Sequence, residues 1–296
     1  LPANTGRQSI NAVRQSADGQ WLFFLAQDLG ESGRDFVARN TALYAMPAAG
    51  GEATALSDAE TLDLSGGSWI ELRGGAGALV LNTARGTVEL HEFLATGGHT
   101  VLLEGSRVVT GAAEGGGRLV VSFSDSTTAG DLALLEGGQV RRLTDFSAQL
   151  RSVAGISEPQ ELTLPSADGY PVHGWLVKPA GPGPHPVLLN IHGGPFAQFS
   201  GALFDEAQVY AGAGYAVLMC NPRGSAGYGQ AHGRAIKERM GTVDMQDVLA
   251  FLDGAVEKFE DLDAANVGIM GGSYGGYLTA WTISHDHRFR AAIVER

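Results

Sequence analysis

The chain has 296 residues, 44% hydrophobic and 18% charged, an ordinary make-up for a globular chain with a real core and long enough for two domains. Its formal net charge is −12, from 20 basic and 32 acidic side chains with no basic run, which argues against nucleic acid and anionic membranes as partners. The single cysteine, Cys220, leaves no intrachain disulfide and suits a reducing compartment such as the cytoplasm, and no apolar run approaches the ~18 residues of a membrane span.

Glycine is abundant, 43 residues or about twice the usual ~7% share. Its placement in the first 155 residues is regular. "LYAMPAAGGEATALSD" (43–58), "LHEFLATGGHTVLLEG" (90–105) and "LALLEGGQVRRLTD" (132–145) each read as a short strand, a Gly-Gly turn and a second strand. A further strand precedes each: "WLFFLAQ", "ALVLNTA" and "LVVSFSD". Alternating apolar and polar residues mark half-buried strands, and paired glycines suit hairpin turns. Repeats of about 40–50 residues carrying several strands are the signature of propeller blades. Three blades are visible where a closed ring takes about 4–8, so further blades are expected before Leu1. A β-sandwich with coincidental spacing is the alternative.

The rhythm changes after residue 155. The stretch 147–160 has little periodicity and reads as the crossing between domains. "QELTLPS" and "YPVHGWLVKP" form a hairpin pair. Three continuous apolar strands follow, "PVLLNIHGG", "YAVLMCN" and "ANVGIMG", separated by the helical stretches "ALFDEAQVYAGAG" and "TVDMQDVLAFLDGAVEKF". In the second helix Asp244 and Asp247 stand near the positive end and Lys258 near the negative end. "YGGYLTAWTIS" is a further helix and "FRAAIVE" a fourth strand. Continuous apolar strands alternating with helices predict a parallel sheet covered on both faces. The expected organisation is the C-terminal blades of a β-propeller over 1–155 and the N-terminal part of an α/β domain over 156–296.

Two motifs carry chemistry. Gly271-Gly272-Ser273-Tyr274-Gly275 sits between a buried strand and a helix, where a sharp turn strains the serine and exposes its hydroxyl over a helix N-terminus. A capping serine in a glycine-rich turn is the plainer alternative. His192-Gly193-Gly194-Pro195 follows an earlier apolar strand, where this fold draws an oxyanion amide from the loop and a second from the residue after the nucleophile. The two donors are then the N–H groups of Gly194 and Tyr274, each worth about 3–4 kcal/mol in the transition state. His192 precedes the serine, whereas the base in this fold follows it, so His192 is expected to brace the loop. Arg223, in "CNPRGSAGYGQ", is expected to pair with a loop carboxylate. Cys220 ends an apolar strand and is expected to be a buried, inert thiol.

"HGGP", "NPRGSAGYG", "GGSYGGYLTAW" and "HRFRAAIVER" behind propeller blades resemble the prolyl oligopeptidase family of serine peptidases, most closely its acylaminoacyl-peptidase branch. The resemblance covers 160–296 strongly and the repeats weakly. It implies that 156–296 are the N-terminal part of an α/β-hydrolase catalytic domain capped by a propeller that admits short peptides, with Ser273 as nucleophile and oxyanion amides at Gly194 and Tyr274. It also implies an acid and a histidine well beyond the nucleophile. Here only His285, Asp286, His287 and Glu295 follow Ser273 as candidates, and the first three fall at the far end of the nucleophile's own helix. The triad Asp and His are therefore expected from polypeptide outside this chain, and the isolated chain is expected to be inactive. The leading expectation is hydrolysis of short peptides with release of N-terminal acylated residues. The alternatives are a carboxylesterase, a dipeptidyl- or oligopeptidase on the same fold, or an inactive fragment serving as a binding module. None of these chemistries calls for a cofactor or a metal. The expected partners are short peptides and the remaining polypeptide of the same protein, with self-assembly left open.

Overall fold

The computed structural model describes residues 6–64 and 69–295. They form two compact units: residues 1–147 with Gly227–Ala231, and Ala148–Ala226 with His232–Arg296.

The first unit is built of antiparallel four-stranded meanders. One contains β1 (Gln8–Gln15), β2 (Trp21–Asp28), β3 (Ala42–Pro47) and β4 (Thr54–Ala55). The next contains β5 (Ile70–Arg73), β6 (Gly77–Ala84), β7 (Thr87–Leu94) and β8 (His99–Leu103). The third contains β9 (Val108–Gly115), β10 (Arg118–Asp125), β11 (Thr128–Glu136) and β12 (Gln139–Arg142). The glycine pairs expected to turn the chain stand between the third and fourth strands of each meander. Gly50, Gly51, Gly97, Gly98, Gly137 and Gly138 all have positive φ there, a backbone region that costs other residues steric strain.

Strand alternation explains how the meanders stack. Along β6, Ala78 and Val80 pack with Phe23, Leu25 and Leu43 of the first meander. Leu79 and Leu81 point the other way and pack with Val109, Leu119 and Phe123 of the third. Successive side chains face opposite sides of a strand, so the central meander is apolar on both faces. These are the blade-on-blade contacts of a propeller. The first strand of each meander has little hydrophobic signal. The burial of β1 is slight, β5 has four residues, and the last three residues of β9 are exposed.

The second unit opens with α1 (Ala148–Ala154), a short helix with no buried residue and hence no apolar stripe to betray it in the sequence. Then come β13 (Gln160–Pro165), β14 (Pro171–Val177), β15 (His185–Ile191), α2 (Asp205–Gly212), β16 (Ala216–Asn221), α3 (Gln230–Arg234), α4 (Val243–Lys258), β17 (Leu262–Gly272), α5 (Tyr274–His285) and β18 (Ala291–Glu295). The sheet order is β13-β14-β16-β15-β17-β18. The hairpin β13–β14 adds antiparallel to β16, and β16, β15, β17 and β18 are parallel.

The apolar runs are buried from both sides. Ala216, Leu218 and Cys220 of β16 pack with Val248, Phe251 and Leu252 of α4. Val217 and Met219 of the same strand pack with Ala207 and Ala211 of α2. Burial raises the Cys220 thiol pKa well above its ordinary value, which keeps the sulfur protonated and unreactive.

From β15 the chain runs through α2 to β16 on one side, whereas β17 lies on the other side of β15. Ligands of open α/β sheets bind at such a switch point, outside the carboxyl ends of the strands. The segments that leave those two ends are the His192–Pro195 loop and the turn at Ser273.

Candidate active site

Ser273 links β17 to α5 with φ 57° and ψ −120°. A serine in this region is strained, and such strain persists only where the surroundings enforce it. Two backbone bonds enforce it here. The Ser273 N–H donates to the Glu295 carbonyl at 3.0 Å, and the Ser273 carbonyl accepts from the Tyr277 N–H at 3.0 Å. The side chain stays exposed.

The glycines around it are a packing requirement. A Cβ on Gly271 would stand 2.6 Å from the Gly275 carbonyl and 2.7 Å from that of Ile191. One on Gly275 would run into the Ile191 carbonyl, and one on Gly276 into the Glu295 carbonyl. Gly272 differs, because its Cβ would meet only the Glu295 carboxylate at 3.7 Å, an ordinary contact. Close approach of helix α5 to β15 and β18 therefore demands three of the four glycines.

Tyr274 is the first residue of α5, so its N–H has no acceptor within the helix. Its phenol donates to Asp244, which also accepts the Gly241 N–H at 3.1 Å. Burial, then the bond to Asp244, holds the Tyr274 hydroxyl protonated far above its ordinary pKa. The Trp281 indole N–H donates to the Gly241 carbonyl at 2.7 Å. These bonds tie helix α5 to the segment that opens α4. Asp244 is fully buried, so its position near the helix N-terminus serves the elbow and not only the helix dipole. The sequence offered no sign of this, because the phenol lies thirty residues further on.

The loop after β15 lies against the serine. Ile191 at the end of β15 pairs with Gly271 at the end of β17. A Cβ on Gly193 would stand 3.3 Å from the Ser273 Cβ and 3.8 Å from its Oγ. Gly194 has φ 124°, and a Cβ there would come within 2.8 Å of the Phe196 nitrogen. A crevice of about 220 Å³ opens beside the elbow, lined by Asn190, His192, Gly193, Gly272 and Glu295 among others. His192 is half-buried, and its desolvation lowers the ring's pKa. Its ring bonds to the Gly193 carbonyl and to Ser225, at 2.6 and 3.0 Å.

The other candidates lie elsewhere. His285 bonds the Trp281 carbonyl at the end of α5, and Asp286 pairs with Arg288 at 2.8 Å. A helix of 12 residues is about 18 Å long, which keeps both away from the serine. Among the described residues no histidine hydrogen-bonds Ser273. The backbone of Glu295 does reach the elbow, through its carbonyl.

Arg223 has the carboxylate partners expected of it. Its Nε and Nη2 donate to Asp247 at 2.9 and 2.7 Å, and its Nη1 to Asp168 at 2.7 Å. The guanidinium also lies over the Tyr170 ring, 4.6 Å from its centroid. Asp247 is wholly buried. Removing one partner of a buried pair strands a charge at a cost of about 3–5 kcal/mol. Arg223→Ala should therefore lower unfolding free energy in urea by roughly that amount, whereas a loss under about 1 kcal/mol would place this pair among ordinary surface pairs.

A strained serine between a parallel strand and a helix, with a glycine loop from the neighbouring strand against it, has the geometry of the turn that carries the nucleophile in α/β-hydrolases. Residues 202–296 match the model described as the prolyl oligopeptidase family. The likeness to the prolyl oligopeptidase family thus covers the residues that carry the turn.

Among solved structures of the family, the chain superposes on an uncomplexed Pyrococcus horikoshii acylaminoacyl peptidase with a TM-score of 0.82 and 26% identity, over 94% of this chain and 43% of that one. It is 39% identical over 163 residues to the uncharacterized peptidase YuxL of Bacillus subtilis, or 54% of this chain and 25% of that protein. It is 32% identical over 162 residues to human dipeptidyl peptidase 8, or 50% of this chain and 18% of that protein. The chain thus spans a quarter or less of the length of these curated relatives. Propeller-like blades followed by an α/β-hydrolase sheet are the architecture that this chain has in common with that acylaminoacyl peptidase.

Proposed function

We propose that the protein is a serine peptidase of short peptides that releases N-terminal acylated residues. The observation that carries this reading is the strained, exposed Ser273 with the Gly193–Gly194 loop packed beside it. Ser273 Oγ attacks the scissile carbonyl carbon and forms the acyl–oxygen bond as the carbon–nitrogen bond breaks. The serine proton passes through a histidine base to the leaving amine, and water then hydrolyses the ester. The amides of Gly194 and Tyr274 receive the developing oxyanion. The histidine and its acid come, in this proposal, from polypeptide outside residues 1–296. The propeller blades favour peptide over simple ester substrates, because they suit a gate that excludes folded proteins.

Acylated substrates are favoured by the likeness to an acylaminoacyl peptidase over nearly the whole chain. The identity to dipeptidyl peptidase 8 supports a second reading, in which the substrate has a free amino terminus. The full-length protein should be given acetyl-alanine p-nitroanilide, alanyl-proline p-nitroanilide and p-nitrophenyl butyrate side by side. A site built for one end group should prefer it by roughly tenfold or more in kcat/KM. The acylated anilide is expected to lead over the free dipeptide. The reverse order would establish the dipeptidyl reading, and cleavage of the ester alone would establish an esterase.

A further inference from the structure

The face that helix α5 turns to the sheet has little that could fix its rotation. Its buried residues are Gly275, Gly276, Leu278, Thr279 and Thr282. The two glycines allow close approach but bring no side chain to resist a turn of the helix about its axis. The hydroxyls of Thr279 and Thr282 are buried and have no hydrogen-bond partner among the described residues. Leu278 is the one large apolar side chain of that face, and apolar contact is not directional.

Directional bonds lie on another side of the helix. At 3.6 residues per turn, positions 274, 277 and 281 fall within about 60° of one another, outside the arc of the buried residues. The Tyr274 phenol donates to Asp244 Oδ2, and the Trp281 indole N–H donates to the Gly241 carbonyl at 2.7 Å. The centroid of the Tyr277 ring lies 5.4 Å from that of Tyr274 and 6.3 Å from that of Trp281. Asp244 Oδ2 also accepts the Gly241 N–H at 3.1 Å, so both bonds end on one short turn. Gly241 has φ 79°, and a Cβ there would stand 2.6 Å from the Trp281 Nε1. The turn and the indole are thus in close contact.

Asp244 is a costly residue for this place. It is fully buried, and one oxygen takes both donors. The other, Oδ1, is buried with no hydrogen-bond partner among the described residues. A buried carboxylate oxygen without a donor lowers stability, and natural proteins carry such costs where function needs them.

Tyr274 follows Ser273, whose N–H and carbonyl are held by Glu295 and Tyr277. A turn of α5 would swing the Tyr274 N–H and the Ser273 side chain together. We propose that Asp244 is a positioning residue for the nucleophile turn, which sets the rotation of α5 through the Tyr274 phenol and with it the direction of the Tyr274 N–H and the Ser273 hydroxyl. The inference rests on the reading of Ser273 as nucleophile and the Tyr274 amide as oxyanion donor.

The test uses three variants of the full-length protein. Tyr274→Phe deletes only the hydroxyl, Asp244→Ala deletes the acceptor, and Asp244→Asn keeps an oxygen for the phenol. Rates are counted per active site, with a fluorophosphonate run to completion as the titrant, so that unfolded enzyme does not enter kcat. A misplacement of about 1 Å costs about 10² in rate. We expect kcat to fall about tenfold in Tyr274→Phe and about 100-fold in Asp244→Ala, with KM within about twofold of wild type. Asp244→Asn should recover most of the rate. Because the two residues act through one bond, Tyr274→Phe combined with Asp244→Ala should be no slower than Asp244→Ala alone. Affinity for a peptide trifluoromethyl ketone, which forms the tetrahedral oxyanion, should fall in step with kcat/KM.

A purely structural role would lower the melting temperature and the number of titrated sites while leaving kcat per site at the wild-type value. That result would overturn the proposal, as would additive losses in the double variant. Should Asp244→Ala not fold, Tyr274→Phe decides alone, since it removes a single oxygen from a half-buried side chain. If the wild type neither hydrolyses substrate nor reacts with a fluorophosphonate, the nucleophile reading has failed. If it does both and Tyr274→Phe matches it in rate, only the positioning role has failed.

Discussion

Ser273→Ala is expected to remove peptidase activity from the full-length protein, with kcat falling on the order of 10⁶-fold toward a residue of catalysis from the oxyanion hole and binding. The Ser273 hydroxyl is the candidate nucleophile of the turn, and the residue is exposed. Everything around it, from the bonds on its N–H and carbonyl to the absent Cβ atoms of Gly271, Gly275 and Gly276, serves to hold it there. A fluorophosphonate should label Ser273 alone, and mass spectrometry of the labelled peptide would show any other serine at once. Stability supplies an independent readout. At φ 57° and ψ −120° alanine is as strained as serine, so Ser273→Ala should leave the unfolding free energy nearly unchanged. Glycine tolerates such a conformation, so Ser273→Gly should be inactive yet more stable by about 1–3 kcal/mol. Loss of stability in Ser273→Gly would show that the turn is not strained as the geometry indicates.

Gly275→Ala is expected to have a large structural effect at the elbow. Its Cβ would lie 2.8 Å from the Ile191 carbonyl carbon and 2.9 Å from the His192 oxygen, besides meeting the Ile191 oxygen itself. All three are backbone atoms of β15 and its loop, which cannot rotate aside as a side chain would. Overpacking of this kind costs about 3 kcal/mol or more. Because the same backbone carries Gly193 and Gly194, a shift of the order of 1 Å should also lower kcat by about 10². Gly272→Ala is the control. Its methyl would touch only the Glu295 carboxylate at 3.7 Å, and the change should stay within about 0.5 kcal/mol. Urea unfolding of the two variants, with kcat for each, separates these outcomes. Equal stability of Gly275→Ala and Gly272→Ala would mean that α5 does not approach β15 as closely as described.

The elements legible in the sequence were those with a strong period or punctuation. The second, third and fourth strands of each meander stood out through alternation and glycine pairs, and the strands β15, β16 and β17 through unbroken apolar runs. The first strands of the meanders did not, because they bury too few side chains to leave a pattern. Helix α1 escaped notice for the same reason, having no buried face. Within the site, the motif around Ser273 and the HGGP loop could be read from spacing, since their chemistry resides in the backbone and in one local turn. The partners of those groups could not. Asp244 reads as a helix-dipole residue until the Tyr274 phenol is seen upon it. Ser225 reads as a loop residue until the His192 ring is placed against it.

The sequence by itself therefore determined the local conformation of the strongly periodic strands and singled out Ser273 as the candidate reactive side chain. Those follow from short-range sterics and from the period of apolar residues. Only the tertiary structure decided which distant groups meet. Sheet order sets β15 beside β17, so residues about eighty apart in the chain share one crevice. Burial then lowers the pKa of the His232 ring, because a charge costs far more away from water than a neutral ring.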